Sequence, residues 1–262
     1  MSRGVTMRIA AFRVTSRLAA GDSRLLALGM PVGLLLLAVA GWWWSARMAG
    51  DMTAGGMDDT LSLGAFVLAW AAMMAAMMLP AVLPVVRLYA RAAAKGRAAP
   101  VPFFVGGYLA LWTAVALPGY LAWRRLEMPL AESQAWAGRL AGATLLAAAL
   151  WQVTPLKSVC LRHCRSPLGF FLRFGGRIRR PAGALRMGAA HGAFCFGCCW
   201  ALFAVLVALG TMNLLWMVLF TALIVLEKHA PRGEQIARVG ALVLAAVGTV
   251  LLGDPSMLVH LT

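Results

Sequence analysis

The nine residues from His191 to Cys199 read His-Gly-Ala-Phe-Cys-Phe-Gly-Cys-Cys. They place one imidazole and three thiols in a stretch that is otherwise apolar. On a helix, His191, Cys195, Cys198 and Cys199 fall within about 100° of one another, on one stripe. Met187 lies one turn earlier and extends it. Gly188, Gly192 and Gly197 lie on or near the same surface, where small residues let a second helix come close. A single buried cysteine behaves as a small hydrophobe. Three cysteines beside a histidine form a set of soft donors, which points to a metal ion or to redox chemistry.

Two further groups have the same character. The segment Thr154–Leu168 carries Cys160, His163 and Cys164 at relative positions 0, 3 and 4. On one helical turn these share a face, a spacing suited to chelation. Direct i to i+4 bridging by a disulfide does not fit helical geometry. Upstream, Trp70, Met73, Met74, Met77 and Met78 precede Pro80. Met73 and Met77 are one turn apart, and a thioether suits copper(I), although methionine is also a flexible core filler. Pro80 and Pro84 are expected to kink or end that helix. Glu227 and Lys228 close another apolar run. A carboxylate there is costly and expected to be paired, in a local Glu–Lys or Glu–Arg pair, with a ligand or proton-accepting role as the alternative.

The elements that carry these groups are membrane spans. Of the 262 residues 62% are hydrophobic and 13% charged, against about 45–50% and 25% in soluble domains. The expected fold is an all-α membrane protein, a polytopic bundle of about seven transmembrane helices near 25–46, 61–84, 102–123, 139–156, 185–209, 212–227 and 236–253. A basic arm (1–24) precedes one transmembrane domain (25–253), and a short tail (254–262) follows. No cleavable signal peptide is evident.

The net charge of +15 invites nucleic acid as a partner, but its distribution argues otherwise. Twenty of the basic residues fall in the N-terminal arm and alternate connecting segments, and four in the intervening ones. That asymmetry is a topology signal. It puts the N-terminus and the segment 157–186 in the cytoplasm and the C-terminus outside. Trp42, Trp43 and Trp44 then close the first span at the outer interface. Five cysteines leave at least one thiol outside any intramolecular pairing.

These landmarks resemble a bacterial domain-of-unknown-function family described as predicted metal-binding integral membrane proteins. The matching segments are Met73–Pro80, Gln152–Leu168, His191–Trp200, Asn213–Met217 and the Leu-Glu-Lys-His-Ala-Pro run at 226–231. They cover most of residues 60 to 250. Phe203 stands where the family pattern has methionine, which removes one soft donor. The resemblance implies a metal-binding protein of the bacterial inner (cytoplasmic) membrane and supplies no reaction.

The expected function is binding of a soft metal ion for transport, homeostasis or delivery to a membrane enzyme. Copper(I) is the first candidate and zinc the second. Cys195, Cys198, Cys199 and His191 would form a site in the bundle, Met73 and Met77 would contribute from a facing helix, and Cys160, His163 and Cys164 would exchange metal at the cytoplasmic side. Expected partners are the lipid bilayer, the ion, and a metallochaperone or membrane metalloenzyme. One alternative is a thiol–disulfide oxidoreductase using Cys195 and Cys198. Another is a non-catalytic assembly subunit. No catalytic residue is assigned.

Overall fold

The computed structural model describes residues 32–48, 62–132, 134–166, 177–209 and 213–261, with isolated positions 29, 50, 169, 171 and 172. The basic arm 1–24 and most of the first outer loop lie outside the described residues. Regular structure among the described residues is helical throughout. The helices are α1 (Val32–Met48), α2 (Leu63–Ala94), α3 (Val101–Ala114), α4 (Ala116–Ala131), α5 (Ala135–Gln152), α6 (Pro155–Arg165), α7 (Pro181–Ala208), α8 (Leu214–His229) and α9 (Gly233–Gly253). The expected tail 254–262 contains a 3-10 helix (Pro255–His260) packed on α5, with Leu258 buried.

Local chemistry sets several of these boundaries. Ser62 caps α2 by accepting from the Ala65 amide at 3.2 Å. Thr154 caps α6 through the Lys157 amide at 3.3 Å, and Asn213 caps α8 through the Trp216 amide at 3.2 Å. Such caps satisfy amides that lack an intrahelical acceptor. Pro155 and Pro181 sit in the first turns of α6 and α7, where a missing N–H costs nothing. Pro80 and Pro84 do not end the helix: α2 continues past both to Ala94. Internal prolines are tolerated where neighbouring helices hold the segment in place.

Among the described residues, four helical stretches are long and apolar enough to cross a membrane: Leu63–Ala94, Val101–Leu126, Pro181–Ala208 and Gly233–Gly253. The third expected span is thus α3 running into α4. The fourth, expected as one run over 139–156, is a pair, α5 and α6, bent by 65°. The expected first and sixth spans appear as the shorter helices α1 and α8.

Close helix packing surrounds the cysteine helix. The backbones of α3 and α7 meet directly. A Cβ placed on Gly188 would collide with the Phe104 carbonyl, and one on Gly107 with the Leu185 carbonyl. A second close pair is α5 with α9, where Gly142 and Gly248 each face the other's carbonyl oxygen at 2.9 Å from the Cβ position. α6 lies across α7, and α2 packs chiefly against α3, α8 and α4. α1 joins through Gly41, whose Cβ position is 2.6 Å from the Ala72 oxygen.

Candidate metal centre

Helix α7 carries His191, Cys195, Cys198 and Cys199, all buried. The 100° stripe read from the spacing is thus the face turned into protein. Its glycines act as expected. Gly188 and Gly192 face α3, and Gly197 faces α6, where its Cβ position lies 2.9 Å from Cys160 Sγ. The Gly197 carbonyl accepts from Trp151 Nε1 at 3.2 Å. Small residues thus bring α3 and α6 close enough for their side chains to reach the thiols.

From α6 comes Cys164, buried and in side-chain contact with both Cys195 and Cys198. Cys198 and Cys199 lie with their sulfurs 3.9 Å apart. Two thiolates on one ion at about 2.3 Å stand about 3.8–4.0 Å apart, so this spacing matches shared ligation. The Cys198 and Cys199 thiols now donate to the Cys195 carbonyl at 3.1 and 2.8 Å. Among the described residues, no group of three or more His, Cys, Asp or Glu side chains encloses an ion as the side chains stand. Rotating these thiols away from the carbonyl is what would turn the cluster into a ligand set. Every cysteine is a free thiol.

The Cys195 sulfur has two other neighbours that the spacing did not reveal. Lys228 Nζ, at the end of α8, donates to it at 2.8 Å. Tyr108 Oη, from α3, lies 3.0 Å away. Lys228 is therefore not the partner of Glu227. The Glu227 carboxylate pairs with Lys157 Nζ at 2.7 Å, with side chains 2% and 1% exposed, and accepts from Gln152 Nε2 at 3.0 Å. Arg165 binds the Glu227 backbone carbonyl at 2.8 Å. Lys157, Leu161 and Cys164 form the buried face of α6, so this ion pair and the thiols share one helix face. A signal for Lys157 existed in the sequence: it precedes Cys164 by seven residues, two helical turns. Nothing local marked Tyr108.

The other expected ligands are placed as follows. Cys160 points at Gly197, at the edge of the cluster. His163 does not join Cys164. Its ring stacks on Phe194 at 4.5 Å and 2°, and its Nδ1 is 2.9 Å from the Val159 carbonyl. His191 lies beside the rings of Tyr108 and Phe104, at 6.1 and 6.2 Å between centroids. Met73 and Met77 are fully buried on α2.

The converging side chains are therefore mostly thiols, buried and contributed by two helices, a chemistry that would suit a soft metal. No curated protein and no solved structure matches the chain. A family model described as copper chaperone, PpoB2, does match, over residues 67–251, a range that contains every element of this cluster. The chain belongs to this copper chaperone family.

Proposed function

We propose that this chain is a polytopic protein of the bacterial inner membrane that binds copper(I) within its helical bundle and hands it to a membrane-associated enzyme. The observation that carries this reading is the convergence of Cys164 with Cys195, Cys198 and Cys199, buried between α6 and α7. Copper is the cargo, and soft thiolates suit its monovalent form. His191 on the same stripe, and Met73 and Met77 on α2, are further candidate donors. Cys160, at the edge of the cluster, is positioned to receive or release the ion. Four apolar helices of spanning length and one bent pair support membrane integration. The basic loop asymmetry supports a cytoplasmic N-terminus.

The experiment is metal analysis of anaerobically purified protein by mass spectrometry, with the cells supplied with copper. Wild type is expected to hold stoichiometric copper, and Cys195→Ser/Cys198→Ser and Cys164→Ser to lose it. His163→Ala is expected to keep it, because its ring is engaged with Phe194 and Val159. Wild-type protein without stoichiometric copper would sink the proposal.

A further inference from the structure

The ammonium of Lys228 is buried among sulfur atoms. Its Nζ donates to Cys195 Sγ at 2.8 Å, and the carbonyl of that same residue takes the Cys198 and Cys199 thiols. The adjacent carboxylate, Glu227, is turned to Lys157 and Gln152 instead. A buried ammonium requires a negative partner in contact. Cys195 Sγ is the atom in contact with it, with Tyr108 Oη at its other side, so the negative partner of Lys228 would be a Cys195 thiolate. The Cys198 and Cys199 thiols instead donate to a carbonyl, the arrangement of protonated groups.

This arrangement constrains the charge of whatever ion binds. In a medium of low dielectric a net charge is heavily penalised. A monovalent ion held by two thiolates has net charge −1, and Lys228 brings the total to zero. A divalent ion on the same two thiolates is already neutral, and Lys228 leaves it at +1. Neutrality for a divalent ion needs a third thiolate, taken from a cysteine whose thiol–carbonyl bond must then also be broken.

We propose that Lys228 is the built-in counter-cation of the metal–thiolate complex and that its single positive charge selects a monovalent soft ion over a divalent one. This rests on the metal-site reading above and adds a specificity-determining residue to it. Lys228 lies outside the ligand set and acts through the charge it places on Cys195.

The test compares the full-length protein with Lys228→Met and Lys228→Arg in detergent, using copper(I) under anaerobic chelator competition and cadmium(II) as the divalent probe. Lys228→Met is expected to lower the copper(I)-to-cadmium(II) affinity ratio by on the order of tenfold or more. Lys228→Arg, which keeps the charge, is expected to restore most of that ratio. A folded Lys228→Met protein with an unchanged ratio overturns the proposal. Should that variant not fold, X-ray absorption of copper(I)-loaded Met73→Leu/Met77→Leu protein decides, because those neutral thioethers are then not counted. Two sulfur donors support the proposal, and three or more overturn it. Wild type that binds neither ion overturns the metal-site reading and this proposal with it, whereas retained metal with an unchanged ratio overturns this proposal alone.

Discussion

The residues at the centre of this molecule divide its buried charge into two separate accounts. Glu227 and Lys228 are neighbours in the chain, yet they serve different partners, because consecutive residues on a helix point about 100° apart. Glu227 reaches Lys157 and Gln152, and Lys228 reaches Cys195. Removing one member of a buried pair leaves an uncompensated charge and costs about 3–5 kcal/mol. Glu227→Gln is therefore expected to lower the thermal unfolding temperature sharply, as followed by circular dichroism in detergent. The double variant Lys157→Met/Glu227→Leu is expected to recover much of that loss. A Glu227→Gln protein as stable as wild type would show that the pair bears no structural load.

At the scale of elements, the site depends on how closely three helices approach. α3 and α7 touch through Gly107 and Gly188, and this contact puts Tyr108 beside Cys195. α6 reaches α7 at Gly197, which brings Cys160 and Cys164 to the thiols. An added methyl at Gly188 must push the backbones apart, and overpacking of this kind costs about 1–3 kcal/mol. Gly188→Ala is expected both to lower the unfolding temperature and to weaken metal retention, because Tyr108 and Cys195 separate. Gly106→Ala is the control, since its Cβ position meets only the Leu185 side chain at an ordinary 3.8 Å. Equal behaviour of the two variants would remove this account of the α3–α7 contact.

For the whole molecule, the proposed orientation rests on the arrangement of charge. The basic residues of the segment 157–186 flank α6 and the start of α7, and the positive-inside tendency supports a cytoplasmic location for this end. In that orientation the Lys157–Glu227 pair and the Cys160 edge of the cluster lie toward the cytoplasm. Reporter fusions after Gly96 and within residues 51–60 are expected to show cytoplasmic and external locations respectively. The reverse pattern would invert the proposed orientation.

Composition and spacing alone identified the soft-donor stripe on α7, the motif that became α6 and the helical class, because hydrophobicity and a 3.6-residue period are local properties. The expectation that glycines mark a close approach also held at Gly188, Gly192 and Gly197. Which donors meet was not legible. Cys160, His163 and Cys164 share a turn in sequence, but the bend of 65° between α5 and α6 and the contact with α7 turn Cys164 inward and leave His163 on Phe194. Nor could adjacency reveal that Glu227 and Lys228 part company, or that Tyr108, some 87 residues from Cys195, completes its surroundings. A local sequence states which atoms are available. Only the packing of α3, α6 and α8 around α7 decides which of them share a low-dielectric space, and it is on that shared space that the proposed site rests.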